Sequence, residues 1–189
     1  MADDRTIKSL QRRMRAMHSL YEDAVATMDL DQVNYVERSP LLPIAFSLFH
    51  FINMEDASLM LAGGGDPVYN DEWAARIHPA INDHGKHKTV DEMMGQRIGD
   101  LDAFVEYQTA VFARTEAYLA SLTPQDLDEV VIPRPFPPQI ASTYSARVAG
   151  EAGITRLDAL ECWIYQHGLR HMGEIEHGRA LVGLEGMTS

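Results

Sequence analysis

The chain has 189 residues, of which 46% are apolar and 23% charged, and this ordinary composition excludes an intrinsically disordered protein. Its formal net charge of −12 disfavours nucleic acid and anionic membranes as partners, because both would repel it. The single cysteine, Cys162, excludes an intrachain disulfide, and we expect one globular domain over residues 1–189 with a core that needs no crosslink.

Two segments in the first third of the chain have the hydrophobic period of a helix. In residues 6–28, apolar side chains recur every three or four positions, and charged residues occupy the other faces. A second helix is predicted between Pro40 in "RSP" and the glycine triplet 63–65, which ends it. Its first half is apolar on nearly all sides, so we expect it to be buried.

Two more long helices are predicted at 100–122 and 155–182, where the same period returns. The segments between the helices are long and contain short capping motifs, such as "TVDE" from Thr89. The second connection contains "IPRPFPPQ", which excludes a regular helix there and is a candidate pocket wall; short strands could lie in "EVVIP" and "STYSARV". The pattern predicts an all-α four-helix bundle with two long crossover connections and short extra helices.

Three histidines form the candidate metal site. His167 and His171 stand four residues apart on the predicted inner face of the last helix, so their imidazoles can bind one divalent ion. His50 is the candidate for a third ligand, because a lone histidine among aromatic residues is costly unless its nitrogens find partners. The alternative is a buried polar network without metal.

Glu174 is the candidate catalytic residue because it shares the face of His171. It could be a general base, a fourth ligand, a hydrogen-bond partner of an imidazole, or a solvated side chain. A di-iron carboxylate site is excluded, because such a site needs two Glu-x-x-His motifs and "EIEH" is the only one here.

Four other residues are predicted to have no functional role. We expect His18 to lie off the apolar stripe of the first helix, and Glu55 and Asp56 to be solvent-exposed or bundle-end charges. Cys162 is predicted to be structural, because its position on the helix is poor for pairing with His167.

The chain resembles the DinB-like (YfiT-like) superfamily at these histidines: His50 in "SLFHFINMEDASL", and His167 and His171 in "YQHGLRHMGEIEHGRALVG". The resemblance implies an up-up-down-down bundle in which the three histidines bind one divalent ion, commonly nickel or zinc, with water completing the coordination. It also implies a homodimer. Several relatives are transferases or isomerases that depend on low-molecular-weight thiols such as mycothiol or bacillithiol.

These observations together predict a metal-dependent enzyme, such as a thiol-dependent S-transferase or isomerase that acts on a small electrophile. A metal-dependent hydrolase and a non-catalytic, dimeric, stress-associated metal-binding protein are the alternatives. The N-terminal segment lacks the pattern of a secretory signal and the longest apolar run is too short to span a bilayer, so we expect a cytoplasmic protein without membrane or nucleic-acid partners.

Overall fold

The structure, a computed structural model, describes residues 4–187, and helices make up 64% of it. The elements in chain order are α1 (Asp4–Ala26), α2 (Leu30–Asn34), α3 (Ile44–Leu61), α4 (Asp71–Ile77), α5 (Val90–Met93), α6 (Leu101–Ser121), α7 (Pro124–Leu127), β1 (Val130–Pro133), α8 (Pro138–Ala141), α9 (Tyr144–Val148), β2 (Gly153–Thr155), α10 (Arg156–Ala159), a π-helical segment (Leu160–Tyr165) and α11 (Gln166–Leu181). We call α10, the π-helical segment and α11 together the C-terminal helix. This architecture confirms the all-α prediction.

The core lies between α1, α3, α6 and the C-terminal helix. The predicted stripe of α1 is buried, from Ile7 through Leu10, Met14 and Met17 to Tyr21. Helix α3 buries 14 of its 18 residues, because it packs against both α6 and the C-terminal helix. An apolar sequence without a polar face is what such a position requires.

Contacts between the long helices determine their directions. Helix α1 runs parallel to the C-terminal helix, as shown by Arg13 with Glu161, Tyr21 with Gly168, and Thr27 with Arg179. Helix α3 runs antiparallel to the C-terminal helix, as shown by Ile44 beside Gly178, Ser47 with Glu174, and Phe51 with His167. Helix α6 runs parallel to α3, as shown by Phe49 with Phe104, Asp56 with Arg114, and Ala62 with Tyr118.

The long helices therefore run up, down, down and up, and the up-up-down-down order was wrong. The connection 27–43 between α1 and α3 reverses the chain direction, whereas 62–100 between α3 and α6 must cross the length of the bundle. The connection 122–155 stays at one end: Arg156, which follows it, donates to the carbonyls of Ala62 at the end of α3 and Asp126 in α7. Of the two connections predicted to be crossovers, 62–100 is one and 122–155 is not.

The connections carry the short elements. "DEWAARI" forms α4, and Thr89 caps α5 with the predicted capping box. The strand predicted in "EVVIP" is β1, which pairs antiparallel with β2, but "STYSARV" supplies α9 instead of a strand. Gly153 of β2 has a φ of 141°, and a Cβ there would lie 2.8 Å from Cα of Pro133, so the pairing requires glycine. None of the helices in residues 4–187 is long and apolar enough to cross a membrane.

Candidate metal centre

The structure brings together the three histidines predicted from the sequence. His50 lies in the second turn of α3, and His167 and His171 lie in the first turns of α11. One ring nitrogen from each lies within 4.8 Å of the other two, and Nε2 of His167 is 2.9 Å from Nε2 of His171. Such a group of imidazole nitrogens could hold a metal ion.

Two of the imidazoles are oriented by hydrogen bonds on their far sides. Nδ1 of His50 donates to the backbone carbonyl of His84, and Nδ1 of His171 donates to Oε2 of Glu174 over 2.7 Å. Ser47 Oγ donates to the same carboxylate oxygen, also over 2.7 Å. These bonds place the ring proton on Nδ1 and leave Nε2 for a metal, which is the usual arrangement around histidine ligands. The donor set therefore fits a divalent ion.

The electrostatics also fit a metal site. Burial lowers the pKa of His50 to about 4 and that of His167 to about 3, and the other two histidines add to the lowering at His167, followed by Arg170 and Lys86. Both rings are consequently neutral at pH 7, the state that binds metal. Burial raises the pKa of Glu174, but the hydrogen bonds from His171 and Ser47 and the electrostatic effect of His171 outweigh it, so the pKa is lowered and the carboxylate is ionised.

Glu174 stands behind His171 and is not one of the group that could hold an ion. The sequence left several roles open for Glu174. Its hydrogen bonds match one of them, that of the partner of an imidazole. Its catalytic role stays a prediction.

The sequence around the histidines explains their close approach. Gly168 lets α11 pack tightly on α3 and α1, because a Cβ there would lie 2.7 Å from Phe51 Cζ and still closer to Met17 Sδ. Phe46 stacks on His50 with ring centroids 5.3 Å apart. The π-helical segment ends two residues before His167; such irregular turns are frequent at functional sites.

A cavity of about 390 Å³ opens beside the histidines, with His167 in its wall. Its other walls come from α3, from the connections 62–100 and 122–155, from the π-helical segment and from Arg170 of α11. Ile132 and Gln139 of the proline-rich segment are among its lining residues. A larger groove of about 570 Å³ lies between α1 and α6, but no histidine lines it.

Cys162 lines the cavity beside the histidines, but it is not an activated nucleophile. Burial raises the pKa of its thiol to about 11, with further contributions from Asp158 and Glu161. The thiol is protonated at neutral pH, which agrees with the predicted structural role.

The predictions for His18, Glu55 and Asp56 were wrong, because all three are buried. His18 Nδ1 lies 2.8 Å from Glu116 Oε1 and its Nε2 lies 3.1 Å from Glu55 Oε1. Asp56 pairs with Arg114 at 2.5 Å. The sequence carried a signal for His18: it follows Met14 by four residues and precedes Tyr21 by three, which puts it on the stripe.

A second group that could hold a metal ion was not predicted, because its histidines lie in a polar connection: Asp83, His84 and His87 in 62–100. His84 Nδ1 accepts a hydrogen bond from the backbone N–H of Lys86, which places the proton of the neutral ring on Nε2. Both nitrogens of His84 are thus engaged or protonated, and this group is the poorer donor set.

The fold and the histidine group define a helix-bundle protein with a candidate metal centre. The chain belongs to the DinB superfamily, whose family model matches residues 13–175, and DinB-like proteins are metal-binding. A crystal structure described as the conserved protein of locus from Enterococcus faecalis is similar, with a TM-score of 0.73 and 18% identity over 93% of this chain and 95% of that one. At that identity the similarity shows the fold alone. No curated protein matches the sequence.

Proposed function

We propose that His50, His167 and His171 bind one divalent ion, nickel or zinc, and that the protein is a metal-dependent enzyme. The proposed reaction transfers or isomerises a small electrophile with the help of a low-molecular-weight thiol. The observation that carries the proposal is the convergence of three imidazoles, two of them oriented through Nδ1, at the wall of a cavity of about 390 Å³. A cavity of that volume is the size of a small-molecule site.

The number of protein ligands in the group supports a catalytic metal site over a structural one. Structural zinc sites have four protein ligands, whereas catalytic sites have three and keep a position open. Among residues 4–187, no carboxylate or thiol joins the three imidazoles in the group that could hold an ion. When bound, a divalent ion supplies the Lewis acidity that lowers the pKa of a thiol or a water molecule at the site.

The roles of the surrounding residues follow from their contacts. The His84 carbonyl and the Glu174 carboxylate hold the imidazoles of His50 and His171 in place. We propose that Glu174 acts by orienting His171, because its oxygen that faces the site already accepts two hydrogen bonds. Hydrolysis by an activated water would use the same residues, so a substrate screen has to separate the two reactions.

The test compares zinc-loaded protein with chelator-treated protein and with a zinc-incubated His167→Ala variant. Each is mixed with a panel of thiols (cysteine, glutathione, mycothiol, bacillithiol) and a chromogenic alkylating electrophile, and loss of the thiol is followed. We expect at least one thiol to react faster with zinc-loaded parent protein than with either control. Equal rates in all three samples for every thiol would overturn the thiol-dependent reaction, and ester hydrolysis in the same samples would test the hydrolase.

A further inference from the structure

Two cations lie in the wall of the cavity beside the candidate metal centre. Lys86 comes from the connection 62–100, and Arg170 from α11, one turn after His167. The chain has 28 acidic residues and only 16 basic ones, yet no acidic residue lines this cavity. The charge of the cavity is therefore opposite to that of the molecule.

Neither cation is neutralised by the protein. Within residues 4–187, the ion pairs involve other arginines, Lys88 and histidines, and neither Lys86 nor Arg170 takes part in one. Both cations line the same cavity as His167. Two unpaired cations at the mouth of a small cavity attract and orient an anion.

The rest of the lining is suited to the body of an organic molecule. Trp163 and Ile140 supply apolar walls, and Met54 and Leu61 of α3 add to them. Thr143, Ser145 and Gln139 supply a few neutral polar groups. An apolar lining with a small number of polar groups is typical of sites for small organic ligands.

We propose that this cavity binds a small organic anion, with its apolar body against Trp163 and its negative group on Lys86 and Arg170. The negative group is a carboxylate or a phosphate ester, since guanidinium and ammonium groups recognise both. The proposal rests on the proposed function, because it names the class of substrate that would reach the metal centre. It adds that the electrophile carries a negative charge, which the three histidines do not imply.

The test measures binding of three fluorinated probes by ¹⁹F NMR: 4-fluorobenzoate, 4-fluorophenyl phosphate and the neutral 4-fluorobenzamide. The zinc-loaded parent is compared with the double variant Lys86→Met/Arg170→Met, which leaves the candidate metal ligands intact. The matched control is Lys88→Met/Arg147→Met, which removes the same charges from residues that do not line the cavity. All samples are repeated after treatment with a chelator.

We expect the parent and the control to bind at least one of the two anions about tenfold more tightly than benzamide, and the double variant to lose that preference. The ratio between benzoate and the phosphate identifies which anion the site prefers. Equal affinities for all three probes in the parent, or an anion preference that survives in the double variant, would overturn the proposal.

The chelated samples separate this proposal from the metal site. An anion preference that persists without zinc supports the cationic wall even if the metal-dependent reaction fails. Anion binding that vanishes with zinc and is unaffected by the double variant would place the anion on the metal and contradict the inference.

Discussion

Glu174 and His84 hold two of the histidines by different means, a side-chain carboxylate and a backbone carbonyl. The carboxylate can be removed by mutation, so its contribution can be measured. We predict that Glu174→Ala weakens zinc binding about 10- to 100-fold, because His171 loses the bond that orients its ring and makes it more basic. Glu174→Gln keeps a hydrogen-bond acceptor and should bind zinc more tightly than the alanine variant.

Competition with a chromogenic zinc chelator measures both affinities. Unchanged zinc affinity in Glu174→Ala would show that the carboxylate does not position His171. The exposed His177, on the same helix, provides a His177→Ala control for the loss of a side chain that does not face the site.

His18 couples the stability of the bundle to pH. Burial lowers its pKa, but Glu55 and Glu116 outweigh that effect, so the pKa is raised above the ordinary value of 6.5. The folded protein therefore holds this proton at a pH where the unfolded chain has released it. The stabilisation is fully present below pH 6.5 and is lost as the pH rises through the folded pKa.

We predict that the parent exceeds His18→Gln in free energy of unfolding by more at pH 6 than at pH 8.5. Urea unfolding at the two pH values measures both free energies of unfolding. Taking the difference between parent and variant removes the contribution of the other titrating groups. If the parent and the variant differed by the same free energy of unfolding at both pH values, the result would contradict a charged His18 in the folded protein.

The candidate metal ligands could be predicted at the level of residues because their signals are local. His167 and His171 share a face through their spacing, and His50 stands out as a polar residue in an apolar run. The groups that orient them could not be predicted equally well. The His84 carbonyl reaches His50 from a connection whose path the sequence does not specify.

At the scale of elements, the two glycines that follow the candidate ligands His167 and His171 of α11 have different surroundings. Gly168 faces Phe51 and Met17, whereas a Cβ at Gly173 would meet nothing within 4 Å. We predict that Gly168→Ala destabilises the protein by about 1–3 kcal/mol, because it forces α3 and α11 apart. Gly173→Ala should stabilise it by about 0.5–1 kcal/mol through its higher helix propensity.

Chemical denaturation of both variants provides the measurement. A similar change in both would show that α11 does not pack on α3 through Gly168. Because Gly168 follows His167 directly, its alanine variant should also weaken zinc binding, whereas Gly173→Ala should not.

The long helices could be predicted from hydrophobic periodicity, but their directions could not. The period defines which face of each helix is buried, and up-up-down-down or up-down-down-up orders bury the same faces. The choice depends on contacts such as Arg156 with the carbonyl of Ala62, which keep the connection 122–155 at one end of the bundle. The π-helical segment was not predicted, since its buried Leu160 and Ile164 stand four positions apart, a spacing that an α-helix also places on one face.

At the scale of the whole molecule, an acidic chain encloses a histidine group and a cavity whose charged wall residues, Lys86 and Arg170, are both cations. The apolar, buried α3 carries His50 to the site, and the parallel pair of α1 and the C-terminal helix closes the other side. Membership in the DinB superfamily agrees with this arrangement. We propose that the three histidines are metal ligands in the protein as purified.

Metal content by mass spectrometry, on protein purified without an affinity tag, tests that claim most directly. The parent is measured beside His50→Ala, His167→Ala and the control His177→Ala, each before and after incubation with zinc or nickel and removal of the excess. We predict close to one ion per chain in the parent and in His177→Ala, with loss in the other two variants. A parent that retains no metal, or a His50→Ala variant that retains as much as the parent, would contradict the account.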